Sequence, residues 1–167
     1  KIKNLFLREK ILESLVNKLP KKSIIVSTTG ILSRELNEII KRNKYRINNF
    51  MCVGGMGHAS QIACSIASAL PDRRVICLDG DGALLMHTGG MAECARQSNL
   101  MHIVLNNGAH DSVGGQPTAA FNINLQKIAE GFGYSSIMKA INSIEINYTF
   151  ESCSVGSCFL EIRCKRG

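Results

Sequence analysis

Two pairs of polar residues stand where apolar segments of the chain stop, and their side chains carry oxygen atoms of the kind that bind hard metal ions. Asp81 lies in Gly80-Asp81-Gly82, and Asn107 follows Asn106, 26 positions beyond the aspartate. A diphosphate held through a divalent cation needs an anionic oxygen ligand, one or two neutral oxygens and room for phosphate and water. Glycines beside the aspartate let backbone N–H groups face phosphate oxygens. We interpret the two pairs as one metal and diphosphate site.

The elements around these pairs explain how two distant residues come together. Residues 75–79 and 102–105 are predicted strands, and the amphipathic stretch 83–96 between them is a predicted helix. In an open parallel sheet, ligands bind in the crevice beyond the carboxyl ends of the strands. Singly, an aspartate between glycines or an Asn-Asn pair is usually only a turn. The prediction therefore depends on their joint placement.

The rest of the chain also alternates predicted helices with predicted strands. Helices are predicted over residues 4–19, 33–41, 125–131 and in an alanine-rich stretch ending near residue 70, and strands over residues 23–27, 50–53 and 158–163. Continuously apolar strands are typical of a parallel sheet covered on both faces. The predicted fold class is α/β, a doubly wound and mostly parallel sheet with helices on both faces. The length of the chain predicts a single domain over residues 1–167.

The composition excludes some classes of partner and suggests a compartment. The net charge is +7, but the basic residues are scattered without interleaved aromatics, so we expect no nucleic-acid partner. No apolar stretch is long enough to span a bilayer, so we expect no membrane association. Several of the seven cysteines lie in apolar runs, which suits buried thiols in a reducing, cytoplasmic compartment. Cys153, Cys158 and Cys164 fit no common zinc spacing and are also expected to be structural thiols.

The motif Gly80-Asp81-Gly82, a spacer of 23 residues and Asn106-Asn107 resembles the signature of the thiamine diphosphate enzymes. Residues 27–30, 53–59, 80–87 and 107–116 further resemble the diphosphate-binding domain of the phosphonopyruvate decarboxylase family, and more distantly the matching subunit of sulfopyruvate decarboxylases. The resemblance implies non-oxidative decarboxylation of a 3-substituted pyruvate, a small anionic 2-oxo acid. Phosphonopyruvate is the first expected substrate, and it would give phosphonoacetaldehyde and CO₂. Sulfopyruvate is the next.

The resemblance also implies roles for particular residues. Asp81, the Asn107 side chain and the Ala109 carbonyl would bind Mg²⁺. The residues that would contact thiamine diphosphate are Thr29, Gly30, Gly54, Met56, Gly80, Gly82 and Ala83. The Gly54 carbonyl would accept a hydrogen bond from the cofactor's pyrimidine, and Met56 would support its bent conformation. His110 would orient an anionic group or relay a proton, although a merely solvated loop histidine is an equal alternative.

One part of the family's active site is not found in this chain. In the family, a glutamate on a separate pyrimidine-binding domain activates the cofactor, and nothing here resembles that domain. We therefore expect the chain to be a fragment or subunit, inactive alone, that works with a pyrimidine-binding domain or subunit in a homo-oligomer. The lysine at position 1 favours a missing preceding portion of the same protein.

Two alternatives remain open from the residues themselves. Gly55, Gly57 and Ser60 follow a predicted strand, and Asp79 ends the next one, which is close to the pattern of an NAD-dependent oxidoreductase domain. That interpretation leaves Asp81 and the Asn-Asn pair unexplained. A non-catalytic binding module with the same fold is the other alternative. His87, in the predicted helix after Asp81, is expected to be an interior histidine.

Overall fold

The computed structural model describes residues 5–153 and 156–167, and in them helices alternate with strands as in an α/β protein. The helices are α1 (Arg8–Lys18), α2 (Ile31–Arg42), α3 (Ala59–Ala69), α4 (Asp81–Met86), α5 (Met91–Cys94), α6 (Leu125–Phe132) and α7 (Ser143–Ser152). The strands are β1 (Ile24–Ser27), β2 (Asn48–Met51), β3 (Val75–Gly80), β4 (Leu100–Asn106), β5 (Ala109–His110), β6 (Gln116–Pro117), β7 (Ser136–Ala140) and β8 (Cys158–Arg163). Short 3₁₀ turns occupy Thr88–Gly90, Asp111–Val113 and Ala119–Phe121.

Six of these strands form one parallel sheet in the order β2-β1-β3-β4-β8-β7, while β5 and β6 make a short antiparallel hairpin. The chain goes outward from β1 to β2 on one side and from β3 onward on the other. The strand order therefore reverses between β1 and β3, which is the position where doubly wound sheets bind ligands. The predicted fold class is confirmed.

Two apolar clusters lie on opposite faces of the sheet, because successive strand side chains point to opposite sides. In β3, Ile76 and Leu78 pack into the cluster that includes residues of α1, α2 and α7. Val75 and Cys77 pack into the second cluster, with residues of α3, α5 and α6. Both faces are thus covered, as the continuously apolar strands predict.

The predicted helix over residues 83–96 is wrong in its extent. Helix α4 begins at Asp81 itself and ends at Met86, a 3₁₀ turn follows, and α5 is a separate short helix. The break coincides with Gly89 and Gly90, residue types that cost helix stability, and with His87, whose φ of −138° is not helical. The expectation that His87 is an interior residue is also wrong, since its ring is exposed and stacks on His58 at 4.5 Å between centroids.

Other boundaries differ by small amounts, and four elements have no counterpart in the predictions. Helix α2 begins two residues before Ser33, and β2 lies two residues earlier than predicted. Strand β8 matches the predicted residues 158–163. Helix α7 and strands β5, β6 and β7 were not predicted.

The expectation that Cys153 and Cys158 are free thiols is wrong. A disulfide joins them, with their Cα atoms 5.9 Å apart. Cys153 follows α7 and Cys158 begins β8, so the bond ties the end of this helix to the sheet. The free cysteines are Cys52, Cys64, Cys77, Cys94 and Cys164, and all but Cys64 are buried. Within residues 5–153 and 156–167, no helix is both long and apolar enough to cross a membrane.

Candidate functional site

A cavity of about 280 Å³ opens at the carboxyl ends of β1, β3 and β4. The turn after β1 supplies Thr29 and Gly30, the start of α4 supplies Asp81 and Gly82, and Asn107 follows β4. Because β1 pairs with β3 and β3 with β4, residues far apart in sequence meet at one edge of the sheet. The crevice is the one expected where the strand order reverses.

Asp81 lies at the floor of this cavity with 2% of its surface exposed. Its Oδ1 accepts a hydrogen bond from the backbone N–H of Asn107 at 3.4 Å, and the Thr118 hydroxyl donates to its Oδ2. Burial raises the pKa of the Asp81 carboxyl, although the hydrogen bond from Thr118 opposes the shift. A buried carboxylate of this kind is stabilised when a cation binds beside it.

Asn107 is held by two bonds of its own side-chain amide. Its Oδ1 accepts from the N–H of Ala109 at 3.0 Å, and its Nδ2 donates to Oδ2 of Asp111 at 2.6 Å. An amide oxygen has two lone pairs, so Oδ1 keeps one for another partner. Together, Asp81, Asn107 and the Ala109 carbonyl offer the hard oxygen ligands that suit Mg²⁺.

Glycines let the backbone and neighbouring side chains approach closely in this cavity. A Cβ on Gly82 would lie 2.5 Å from Cε1 of His110 and 3.4 Å from the terminal methyl of Met56. A Cβ on Gly30, whose φ is 101°, would clash with the Ser112 hydroxyl oxygen. The imidazole of His110 therefore lies directly over the Gly82 backbone. Any residue with a Cβ at position 82 would displace this imidazole.

Most of the residues predicted for the site line this one cavity. They are Thr29, Gly30, Met56, Gly80, Asp81, Gly82, Ala83, Asn107, Ala109 and His110. Gly54 does not line it. It is exposed in the turn after β2, with a φ of 75° that favours glycine. The structure thus brings together all the predicted positions but one.

The profile of the thiamine pyrophosphate enzymes, C-terminal TPP binding domain, matches residues 28–154. This match includes the turn after β1, Asp81 and Asn107. The chain belongs to this family.

Relatives of this TPP-binding domain include decarboxylases of two substrates. It is 40% identical over 128 residues to phosphonopyruvate decarboxylase of Streptomyces viridochromogenes, covering 75% of this chain and 31% of that protein. It is 37% identical over 130 residues to sulfopyruvate decarboxylase subunit beta of Methanocaldococcus jannaschii, covering 76% of this chain and 66% of that protein. The chain therefore spans about a third of the length of the phosphonopyruvate decarboxylases it matches.

A solved structure supports the fold of the TPP-binding domain. The X-ray structure of a protein from Mycobacterium smegmatis, described as a thiamin diphosphate-dependent enzyme, superposes with a TM-score of 0.78 over 96% of this chain and 32% of that one. Sequence identity in the superposition is 19%, so the likeness concerns the fold.

Thr118 and Glu161 both support the site, and both were missed from the sequence. Thr118, whose hydroxyl donates to Asp81, lies between β6 and a 3₁₀ turn, in a stretch of glycine, proline and alanine where nothing in the sequence distinguishes it. Glu161 lies in the apolar strand β8 with 1% exposure and accepts from Nδ2 of Asn106 at 2.8 Å. A carboxylate within an apolar strand was a usable signal, because such a group is rarely buried unless it is paired.

Glu161 is the centre of a polar network beneath the turn after β4, which carries Asn107. Burial alone would raise its pKa, but hydrogen bonds from Gln126, Arg163 and Asn106 and the charge of Lys139 outweigh burial, and the pKa of Glu161 is lowered. The other end of the Asn106 amide accepts the N–H of Gly108 at 3.1 Å. The network therefore fixes the turn that presents Asn107.

The acidic residue of the oxidoreductase alternative is not placed for that role. Asp79, the expected ribose ligand, is fully buried, does not line the cavity and accepts the N–H of Gly80 at 3.0 Å. Its Oδ2 lies 3.5 Å from Nε2 of His102, which is also buried. A carboxylate enclosed in this way has no access to a nucleotide ribose.

Proposed function

We propose that this TPP-binding domain is the diphosphate-binding half of a Mg²⁺ and thiamine diphosphate dependent 2-oxo acid decarboxylase. The observation that carries the proposal is the meeting of a buried carboxylate, Asp81, and an amide oxygen ligand, Asn107, in one glycine-walled cavity. The family match and the two groups of decarboxylase relatives support the reaction class.

The side chains present fit both the metal and the diphosphate. Asp81, Asn107 and the Ala109 carbonyl would hold Mg²⁺, which favours several oxygen ligands and leaves positions for phosphate oxygens and water. The cation would relieve the cost of burying the Asp81 carboxylate. A Cβ at Gly82 would clash with the His110 imidazole, so only glycine allows a close neighbour over this backbone.

Thiamine diphosphate, when bound, supplies a thiazolium ring that accepts the electron pair released as CO₂ leaves a 2-oxo acid. The residues of this chain would bind the cofactor and orient the substrate. Met56, half-buried beside Gly82, would pack against the cofactor, and the Gly54 carbonyl would contact its pyrimidine from the exposed turn after β2. His110 would orient the anionic substrate or move a proton at its imidazole.

We further propose that the active site is completed by a pyrimidine-binding domain or subunit that carries the activating glutamate. The span of the chain, 31% of a phosphonopyruvate decarboxylase and 75% of the sulfopyruvate decarboxylase subunit beta of Methanothermobacter thermautotrophicus, supports this division. Assembly as a homo-oligomer belongs to the same proposal.

The proposed substrate is phosphonopyruvate, and sulfopyruvate is the second candidate. Identity of 40% to phosphonopyruvate decarboxylase favours the first, while coverage of 86% of this chain by a sulfopyruvate decarboxylase subunit beta favours the second. Both are dianionic or trianionic 2-oxo acids, which the net charge of +7 suits.

An activity assay of the intact natural protein, with any second subunit, tests the proposal. CO₂ release is measured with phosphonopyruvate, sulfopyruvate and pyruvate, each with thiamine diphosphate and either Mg²⁺ or EDTA. We expect Mg²⁺-dependent turnover that is fastest with phosphonopyruvate and absent in Asp81→Ala. Faster turnover of sulfopyruvate would replace the substrate assignment, and no turnover of any 2-oxo acid would contradict the reaction class.

A further inference from the structure

Asp111 is bound to the proposed metal ligand Asn107 and does not project freely into the cavity. Its Oδ2 accepts from Nδ2 of Asn107 at 2.6 Å and from the N–H of Gly167 at 3.1 Å. The Asp111 side chain is 9% exposed, and Nη1 of Arg8 lies 3.4 Å from the same oxygen. The carboxylate is therefore already engaged by three donors.

An asparagine side chain has two orientations that exchange its oxygen and its nitrogen, and only one of them offers oxygen to a cation. An ionised carboxylate only accepts hydrogen bonds, so Asp111 selects the orientation in which Nδ2 of Asn107 faces it. The N–H of Ala109 donates to Oδ1 of Asn107 at 3.0 Å and favours the same orientation. The amide is thus fixed before any metal binds.

Arg8, from the first helix, fixes the carboxylate in turn. Its guanidinium is 6% exposed and makes a two-bond contact with Glu35 of α2, at 2.6 Å from Nε and 3.0 Å from Nη2. Such a fork-to-carboxylate contact restricts the guanidinium to one geometry. The remaining nitrogen, Nη1, faces Asp111 and compensates a second negative charge close to Asp81.

We propose that Asp111 is a positioning residue that holds the Asn107 amide with its oxygen available to Mg²⁺, and that Arg8 holds Asp111. This inference rests on the proposed function, because it assigns Asn107 as a metal ligand. It gives α1, outside the residues that the family profile matches, a role in assembling the site.

The test is a double-mutant cycle on Mg²⁺ affinity in the intact protein. Calorimetry measures Mg²⁺ binding at saturating thiamine diphosphate for wild type, Asp111→Ala, Asn107→Asp and the double variant. In the wild-type background, Asp111→Ala should weaken Mg²⁺ binding about 10- to 100-fold, as removal of groups behind metal ligands commonly does. Arg8→Met should weaken it less, and Arg8→Lys should retain part of the affinity.

In the Asn107→Asp background, Asp111→Ala should no longer weaken Mg²⁺ binding. An aspartate at 107 presents oxygen in either orientation and is repelled by Asp111, so Asp111→Ala should leave Mg²⁺ affinity unchanged or increase it. If Asp111→Ala weakens Mg²⁺ binding by the same factor in both backgrounds, Asp111 only supports the fold, and the inference is overturned. Unchanged affinity of Asp111→Ala in the wild-type background would overturn it as well.

Two controls separate other causes of failure. Asp72→Ala removes an exposed carboxylate from the turn before β3, at the opposite edge of the sheet, and should leave Mg²⁺ affinity unchanged. Thermal unfolding without Mg²⁺ shows that each variant is folded. A wild type without Mg²⁺-dependent thiamine diphosphate binding would overturn the proposed function itself and the present inference with it.

Discussion

The backbone N–H of Asn107 donates a hydrogen bond to Oδ1 of Asp81 across 3.4 Å, and this bond joins the ends of the neighbouring strands β3 and β4. Asp81 begins a helix directly after β3, and Asn107 directly follows β4. The two proposed Mg²⁺ ligands are therefore held in contact by the sheet register, in which Gly80 pairs with Leu105.

Asp81→Asn should stabilise the protein without ligands at neutral pH while removing stabilisation by ligands. Because burial raises the pKa of Asp81, its ionisation disfavours the folded state, and this cost grows as pH rises through that pKa. The variant should gain on the order of 1 kcal/mol in the free energy of unfolding at pH 7 and less at pH 3. Urea unfolding at both pH values measures the difference.

With Mg²⁺ and thiamine diphosphate at about 100 times the dissociation constant, wild type should instead gain about 2.7 kcal/mol. Asp81→Asn should gain far less. If the variant is less stable than wild type without ligands at pH 7, the cost assigned to the buried carboxylate is wrong.

Gly82→Ala should weaken thiamine diphosphate binding strongly. The added Cβ would lie 2.5 Å from Cε1 and 2.7 Å from Nδ1 of His110, so either the imidazole or the backbone must move. Gly131→Ala is the matched control, since a Cβ at this helical position meets nothing within 4 Å. The control should keep cofactor affinity and gain up to about 1 kcal/mol of stability. Equal cofactor affinities for both variants, measured by calorimetry, would contradict the proposed close approach at Gly82.

Glu161→Gln should destabilise the folded protein by about 1–3 kcal/mol at pH 7, because it removes the charge on which Asn106, Arg163 and Lys139 converge. The pKa of Glu161 is lowered on folding, so its contribution is present above the ordinary value of 4.5 and is lost as pH falls through the lowered pKa. Unfolding of wild type and variant from pH 7 to pH 3 should show this difference shrinking.

Glu93→Gln is the matched control for that experiment. Glu93 makes an exposed ion pair with Arg96, at 3.5 Å, and such pairs contribute little. Its loss should change stability by less than about 0.5 kcal/mol. A pH-independent difference for Glu161→Gln would show that the network does not depend on the charge.

His110→Ala should lower the turnover number about 100-fold, since a positioned acid or base commonly contributes at least that factor. Cofactor affinity should change much less, because the metal ligands remain. His87→Ala removes an exposed imidazole that does not line the cavity and should leave turnover near the wild-type value. Steady-state kinetics with saturating cofactor measures both, and unchanged turnover in His110→Ala would place this imidazole outside the chemical step.

The sequence predicted the sheet and the convergence on one cavity, because both depend on strong local signals. Apolar runs ending in glycine or asparagine mark the strand ends, and parallel pairing then brings Asp81 and Asn107 together. Helix α7 was missed, although the sequence contains the capping pattern at its start. The N–H of Glu145 donates to Oδ1 of Asn142 at 3.0 Å, and Oε2 of Glu145 accepts from the N–H of Ile141 at 2.7 Å.

The supporting contacts of the site could not be predicted, because they depend on side chains far apart in sequence. Arg8 reaches Asp111 across 103 positions and Thr118 reaches Asp81 across 37. Neither contact has a local pattern, and each exists only once the sheet and helices have packed. In contrast, the end of the helix that begins at Asp81 could have been predicted, because Gly89 and Gly90 both disfavour a helix.

The most direct test of the metal and diphosphate site is a calorimetric titration of the intact protein with thiamine diphosphate in Mg²⁺ and in EDTA, for wild type and Asp81→Ala. The proposed ligands predict saturable binding by wild type in Mg²⁺, and its loss both in EDTA and in Asp81→Ala. Equal affinity in EDTA, or undiminished binding by Asp81→Ala in Mg²⁺, would contradict the assignment of Asp81 and Asn107 as the metal corner of a thiamine diphosphate site.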